Sequence, residues 1–243
     1  MKLHILAIAA HPDDIELSCA GTLIKHAQMG QATGIVDLTM GELGTRGSAE
    51  LRLQEAQDAA KVMGVKVREN ARMADGFFRN DEEHQRRLVA YIRHYRPEIV
   101  LANALSDRHP DHGRGGRLIA DACFLAGLRK VETERDGVKQ EPWRPKRVYH
   151  VMQDRPFEPA FIVDISTVFE QKMEAIRCYK SQFHDPASTE PVTYIATEQF
   201  LQQLAARDAL LGRRIGAHYG EGFASENIPG IATLDSLVLP ELP

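Results

Sequence analysis

A chain of 243 residues with 43% hydrophobic content can bury a sizeable core as one domain over residues 1–243. Its formal net charge of −4 offers no basic surface on which to propose nucleic acid as a partner. No stretch approaches the roughly 20 apolar residues needed to cross a bilayer, so no membrane partner is expected.

The chain opens with an apolar run, Leu3–Ala9, closed at once by His11-Pro12-Asp13-Asp14 rather than by a small-residue cleavage site. A buried first strand explains it better than a secretory signal. Ile15, Cys19, Leu23, Ile24 and Ala27 then follow helical spacing to about Gln28, with Gly30 placed to end the helix. Residues 33–39 read as a second strand, followed by the glycine-rich loop Gly41–Gly47. Ser48 is a good N-cap for a helix to Met63, closed by Gly64. Residues 65–73 form a weaker strand candidate, and Asn80 with Glu83 resembles a capping box opening a helix to Tyr95.

Residues 99–103 predict a fourth strand, which leads into His109-Pro110-Asp111-His112 and a helix from about Arg114 to Ala126. Residues 132–145 are polar and read as an exposed connection. Residues 146–152 and 161–165 predict two more strands, and Ser166 caps a helix to about Lys180. Residues 181–192 read as loop, residues 193–217 as a long helix, and the chain from Tyr219 as an irregular Gly/Pro-rich tail. This alternation predicts an α/β fold of Rossmann-like type, a mostly parallel sheet with helices on both faces. In the commonest doubly wound order strands one and four are neighbours at the switch point, where ligands bind. Both His-Pro-Asp signatures follow those two strands.

Either signature alone reads most simply as a turn with a helix cap, because Pro and Asp are favoured there. Together they assemble metal chemistry. His11, Asp14 and His112 offer two nitrogens and one carboxylate, a set that leaves a position open on a zinc ion. Asp13, which cannot easily point the same way as Asp14, is placed to act as general base, and His109 to steady an oxyanion with Asp111 holding its imidazole. The reading is a metal-dependent hydrolase with one Zn²⁺ per chain, Fe²⁺ being an alternative ion. Two histidines and a carboxylate also describe a non-haem iron oxygenase, and a non-catalytic metal-binding relative is a third reading. Arg52, on the helix after the glycine loop, reads by pattern alone as a solvated helix arginine, or else as a fork for a substrate anion. Gly41, Gly44 and Gly47 do not match a phosphate loop. Cys19, Cys123 and Cys178 are widely spaced and odd in number, which argues against a disulfide framework and for a reducing cytoplasm.

The opening Ala10-His-Pro-Asp-Asp-Ile-Glu16, the Gly41–Gly47 loop with Arg52 after it, and His109–His112 resemble the LmbE/PIG-L zinc deacetylases over essentially the whole chain. Tyr179-Lys-Ser-Gln-Phe183 and Tyr219-Gly-Glu-Gly-Phe223 are similar to the bacillithiol biosynthesis deacetylases of that family. The resemblance implies zinc on His11, Asp14 and His112, Asp13 as base, and a His109–Asp111 pair. It implies that Arg52 binds substrate carboxylate or product acetate, and that Tyr194 contacts substrate. It also implies deacetylation of an N-acetylglucosaminyl malate, and a homo-oligomer, often a hexamer. Another N-acetylated sugar or amine conjugate is the alternative substrate.

Overall fold

The computed structural model describes residues 1–239; the last four residues of the expected tail lie outside the described residues. Nine strands and six helices follow in the order β1 (Ile5–Ala9), α1 (Asp14–Gln28), β2 (Thr33–Asp37), α2 (Ala49–Met63), β3 (Val67–Asn70), α3 (Glu82–Tyr95), β4 (Ile99–Ala102), α4 (Pro110–Ala126), β5 (Glu134–Arg135), β6 (Val138–Lys139), β7 (Arg147–Val151), β8 (Phe161–Asp164), α5 (Phe169–Arg177), α6 (Glu198–Arg214) and β9 (Gly220–Ala224). Seven strands form one sheet in the order β3-β2-β1-β4-β7-β9-β8. The five strands from β3 to β7 are parallel, and β9 runs antiparallel to both of its neighbours. This is the mostly parallel α/β sheet that the sequence predicts.

The period of two in β1 divides the core. Ile5, Ala7 and Ala9 pack on the face covered by α1, α2 and α5; Leu6, Ile8 and Ala10 pack on the face covered by α3 and α4. A strand buried on both faces has to be apolar throughout, which is why Leu3–Ala10 carries no alternation. Pairing of Ile8 with Ala102 ends β1 and β4 side by side, with β2 on the other flank of β1. The segments leaving these strands therefore enter one crevice at the carboxyl edge of the sheet.

Four boundaries differ from expectation, each for a local reason. Helix α4 starts at Pro110 rather than near Arg114, because His109 is itself the N-cap and proline is well suited to the first helical position. Asp81, not Asn80, caps α3 through the His84 amide. Ser166 does not cap a helix; its hydroxyl donates to Asp164 and accepts from the amides of His218 and Tyr219, so α5 begins at Phe169. The expected helix from residue 193 is a 3-10 turn at Tyr194–Ala196 followed by α6, capped by Thr197.

Three strands were not expected. Residues 132–145 contain the β5–β6 hairpin, closed by Asp136-Gly137, both with positive φ, the pairing that suits a two-residue turn. The expected tail supplies β9, an interior strand. Its glycines hide it from hydrophobic patterning, yet Gly220 is required, since a Cβ there would collide with Ile162 and the backbone of Gly212. No helix among the described residues is long and apolar enough to cross a membrane.

Strand β9 is pinned by a fully buried ion network. The Glu221 carboxylate accepts from Lys172 Nζ at 2.8 Å, from the Gly21 and Thr22 amides at 2.9 and 2.7 Å, and from the Thr22 hydroxyl at 2.7 Å. Lys172 also donates to Asp208 at 2.7 Å, so one ammonium joins α5, α6, β9 and, through Glu221, α1. Removing one member strands the others without solvent. Lys172→Ala should therefore lower the unfolding free energy by about 3–5 kcal/mol in urea titrations; a loss below about 1 kcal/mol would show the network to be dispensable.

Candidate active site

His11, Asp13 and Asp14 stand where β1 turns into α1, and His109, Asp111 and His112 where the chain from β4 turns into α4. Arg52 comes from α2 and Tyr194 from the 3-10 turn before α6. All but Asp111 line a single cavity of about 860 Å³. The ring centroid of His11 lies 5.6 Å from that of His112 and 4.7 Å from that of His109. The two signatures thus meet across about a hundred residues of sequence.

Asp14 sits between the two outer imidazoles. Its Oδ2 is 3.6 Å from His11 Nδ1, and its Oδ1 is 3.2 Å from His112 Nε2. The opposite nitrogen of each ring is held by other carboxylates. Asp75 and Asp111 lie 3.0 and 3.4 Å from His11 Nε2, and Asp107 lies 2.6 Å from His112 Nδ1. Imidazoles that ligate a metal are oriented in this way, through a carboxylate on the nitrogen facing away from the ion. Asp75, Asp107 and Asp111 are in turn fixed by the amides of Leu43, Arg155 and Gly76. Two groupings of three residues bring donor atoms within 4.8 Å of one another, His11 with His109 and His112, and His11 with Asp75 and Asp111; Asp14 belongs to neither, though it lies 3.2 Å from His112 and 3.6 Å from His11.

Electrostatics describe a place that requires positive charge. Burial alone would lower the affinity of His11 for a proton, but Asp111, Asp14 and Asp75 hold its pKa well above the ordinary value. His112, also opposed by burial, is raised to about 9 by Asp14 and Asp107. Asp14 is held well below the usual carboxylate range, against its burial, by His112 and His11. Imidazoles kept charged by surrounding carboxylates mark a point where a divalent cation can replace the protons. The donor set of two nitrogens and a carboxylate fits zinc or ferrous iron.

Asp13 takes a different direction. Its φ of +115° is rare outside glycine, and its side chain makes no helix-cap hydrogen bond. The carboxylate instead accepts from Arg52 Nη2 at 2.6 Å, while Arg52 Nε donates to the Pro12 carbonyl at 3.0 Å. The simple reading of His-Pro-Asp-Asp as a capped turn therefore fails at the capping residue. Burial pushes the Asp13 carboxyl up to about 6, with Arg52 opposing. Arg52 is buried, not a solvated helix residue, and its bonded N–H groups are directed at Asp13 and its neighbour rather than at a free anion. Gly41 allows this approach, because a Cβ there would strike the guanidinium.

The expected His109–Asp111 pair is not formed through the Asp111 carboxylate. That group accepts from the Gly76 amide and from Arg114, both at 2.8 Å, and faces His11. His109 Nδ1 accepts instead from the Asp111 backbone amide at 3.3 Å. Burial and the neighbouring imidazoles of His11 and His112 lower the pKa of His109. With Nδ1 used as an acceptor, Nε2 is the ring nitrogen left to carry a proton toward the cavity. Tyr194 is exposed at the rim, its hydroxyl 3.2 Å from Asp154 and its ring 4.5 Å from the Arg108 guanidinium.

Four residues of the site escaped the sequence reading. Asp75 and Asp107 orient the imidazoles. Asn103 and Gln153 donate to Asp14 at 3.1 and 2.5 Å, and Asn103 Oδ1 accepts the Ala10 amide at 2.8 Å, binding β1 to the end of β4. Asp107 carried a usable signal, being a carboxylate five residues before a candidate ligand histidine. Asp75 and Gln153 are isolated loop residues with no motif around them.

Comparison with known proteins agrees with this geometry. The PIG-L family model, described as GlcNAc-PI de-N-acetylase, matches residues 6–123. The chain is 30% identical over 241 residues to diacetylchitobiose deacetylase of Thermococcus kodakarensis, covering 93% of this chain and 84% of that protein. It is 28% identical over 237 residues to 4-oxalmesaconate hydratase of Pseudomonas putida, covering 90% and 88%. The crystal structure of the conserved protein TT1542 from Thermus thermophilus matches with a TM-score of 0.85 at 34% identity, covering 96% of this chain and 98% of that one. With its sheet, its paired His-Pro-Asp turns and relatives that span nearly its whole length, the chain belongs to the LmbE/PIG-L family of deacetylases.

Proposed function

We propose that this protein is a metal-dependent N-deacetylase that hydrolyses the acetamide of an N-acetylglucosamine-type conjugate to acetate and a free amine. The observation that carries the reading is the division of roles within one crevice. Two imidazoles are turned toward Asp14 by carboxylates behind them, and Asp13 and His109 are left beside them for proton chemistry. His11 through Nδ1, Asp14, and His112 through Nε2 would hold one Zn²⁺ or Fe²⁺. Such an ion supplies Lewis acidity, which polarises a carbonyl and makes water more acidic. Asp13, fixed by Arg52, takes a proton from the attacking water and delivers it to the amide nitrogen as the C–N bond breaks. His109 donates from Nε2 to the carbonyl oxygen as negative charge gathers there. Asp111 acts on His11 rather than on His109, and Tyr194 meets the sugar at the rim.

The finer substrate assignment, N-acetylglucosaminyl malate, rests on two motifs that belong largely to the scaffold. Tyr179 is buried against Glu16, Ser181 bonds Glu55, and Glu221 sits in the buried ion network. Within the first of these motifs Gln182 does reach the cavity. The malate conjugate is therefore one member of a substrate panel rather than the premise. A cytoplasmic setting fits the free thiols of Cys19, Cys123 and Cys178. Assembly into a homo-oligomer, a hexamer by family resemblance, fits the exposed apolar side chains of Ile228, Leu234 and Leu237.

Purified protein should release amine and acetate in equal amounts from at least one of N-acetylglucosamine, diacetylchitobiose and the malate conjugate, lose this activity to a chelator, and regain it with zinc. Hydration of an unsaturated dicarboxylate with no amine release from any of the three would overturn the assignment in favour of the hydratase chemistry of one relative. Asp13→Asn should lower kcat by about 10²–10⁴-fold while metal content by elemental analysis is unchanged; full activity in this variant would remove Asp13 as the base. Asp107→Ala should weaken metal affinity by roughly 10–100-fold, read by competition with a chromogenic chelator.

A further inference from the structure

We propose that the crevice is built for an acetamidosugar whose aglycone is apolar, an alkyl or aryl group; this deepens the deacetylase reading and rests on it. The cavity of about 860 Å³ lies near the upper end of small-molecule sites, and a single acetamidosugar at the imidazole cluster fills only part of it. The remainder follows α6. Phe200, Leu204 and Leu211 recur at helical spacing on the face that lines the cavity, flanked by Leu210, so the strip runs about 20 Å to Arg214. Phe157 and Ile195 line the same cavity. Leu210 is 64% exposed, and Phe157, Ile195 and Phe200 are only half-buried, so apolar surface stands open to solvent beside the candidate catalytic groups.

The charged side chains of the cavity point the same way. Each of the five arginines that line it already has acceptors within the protein. Arg46 bonds the carbonyls of Ser181 and Pro191 and the Ser188 hydroxyl. Arg52 holds Asp13, Arg108 holds Asp154, and Arg214 holds Glu158. Arg207 is divided among Asp208 and the carbonyls of Gln153 and Leu17. A dianionic aglycone such as malate would share guanidinium groups whose charge is already answered by Asp13, Asp154, Glu158 and Asp208, whereas an alkyl or aryl group would cover the exposed parts of Phe157, Ile195, Phe200 and Leu210.

The test compares kcat/KM of the zinc-loaded enzyme for the methyl, phenyl and octyl glycosides of N-acetylglucosamine and for the malate conjugate, with the octyl compound below its micellar concentration. The octyl glycoside should exceed the methyl glycoside by at least about 10-fold, mainly through KM, because the aglycone lies away from the reacting carbonyl. Leu210→Glu and Ile195→Ser should each reduce that octyl-to-methyl ratio several-fold. Equal values for octyl and methyl glycosides, or a preference for malate, would overturn the apolar subsite while leaving deacetylation standing. If no acetamide is cleaved, the deacetylase reading falls, and binding of octyl glucoside, which carries no acetamide, decides the subsite by calorimetry. Binding that Leu210→Glu weakens supports it, and absence of binding to the wild-type protein overturns it.

Discussion

Asp14 and the imidazoles beside it are buried among carboxylates that outnumber their cationic partners. Asp13, Asp14, Asp75, Asp107 and Asp111 all lie within the protein, and guanidinium ion pairs answer only Asp13 and Asp111. Isolated charge is not tolerated in such a place; it is paired, neutralised or bound to a metal. Here the balance falls on His11 and His112, which the carboxylates drive toward the charged form. The functional reading follows from that demand. A divalent cation held between the rings, as proposed above, would satisfy Asp14 and let the imidazoles act as ligands, with the carboxylates behind them orienting each ring.

The sheet brings these groups together. Parallel pairing of β1 with β4 places the ends of the two strands level, and the Asn103 side chain ties the segment after one to the end of the other. Each signature then enters a helix at once, so neither has a flexible stretch in which to drift. The far side of the site is fixed through a separate route. The Lys172 network anchors α6 to the sheet, and Arg207 on the same helix holds the carbonyl of Gln153, whose amide donates to Asp14. The helix that provides the apolar wall of the cavity therefore also steadies the carboxylate at its centre.

Much of this arrangement is written in the sequence. That His11, Asp13, Asp14 and His112 meet in one crevice follows from each signature ending a run apolar enough to be an interior strand, since strand ends converge at one edge of a parallel sheet. Residues that act singly left no such trace. Asp75 and Gln153 belong to loops whose paths only tertiary structure fixes. Arg52 looked like an exposed helix residue because its own helix carries no sign of the glycine loop folding beneath it. Adjacency to His109 in sequence suggests a side-chain pair with Asp111, but helix geometry turns that carboxylate to Gly76 and Arg114 and leaves the backbone amide facing the ring. Strand β9 was hidden for a compositional reason: Gly220 and Gly222 carry no apolar side chain to reveal a strand, and its buried Glu221 reads as surface.

Which nitrogen of His11 would meet the proposed metal is tested directly by anomalous diffraction at the zinc edge from crystals of the zinc-loaded protein. One peak per chain should lie about 2.0–2.2 Å from His11 Nδ1, an Asp14 carboxylate oxygen and His112 Nε2. A peak on the Nε2 side of His11, between Asp75 and Asp111, or one out of reach of His112, would contradict the central claim.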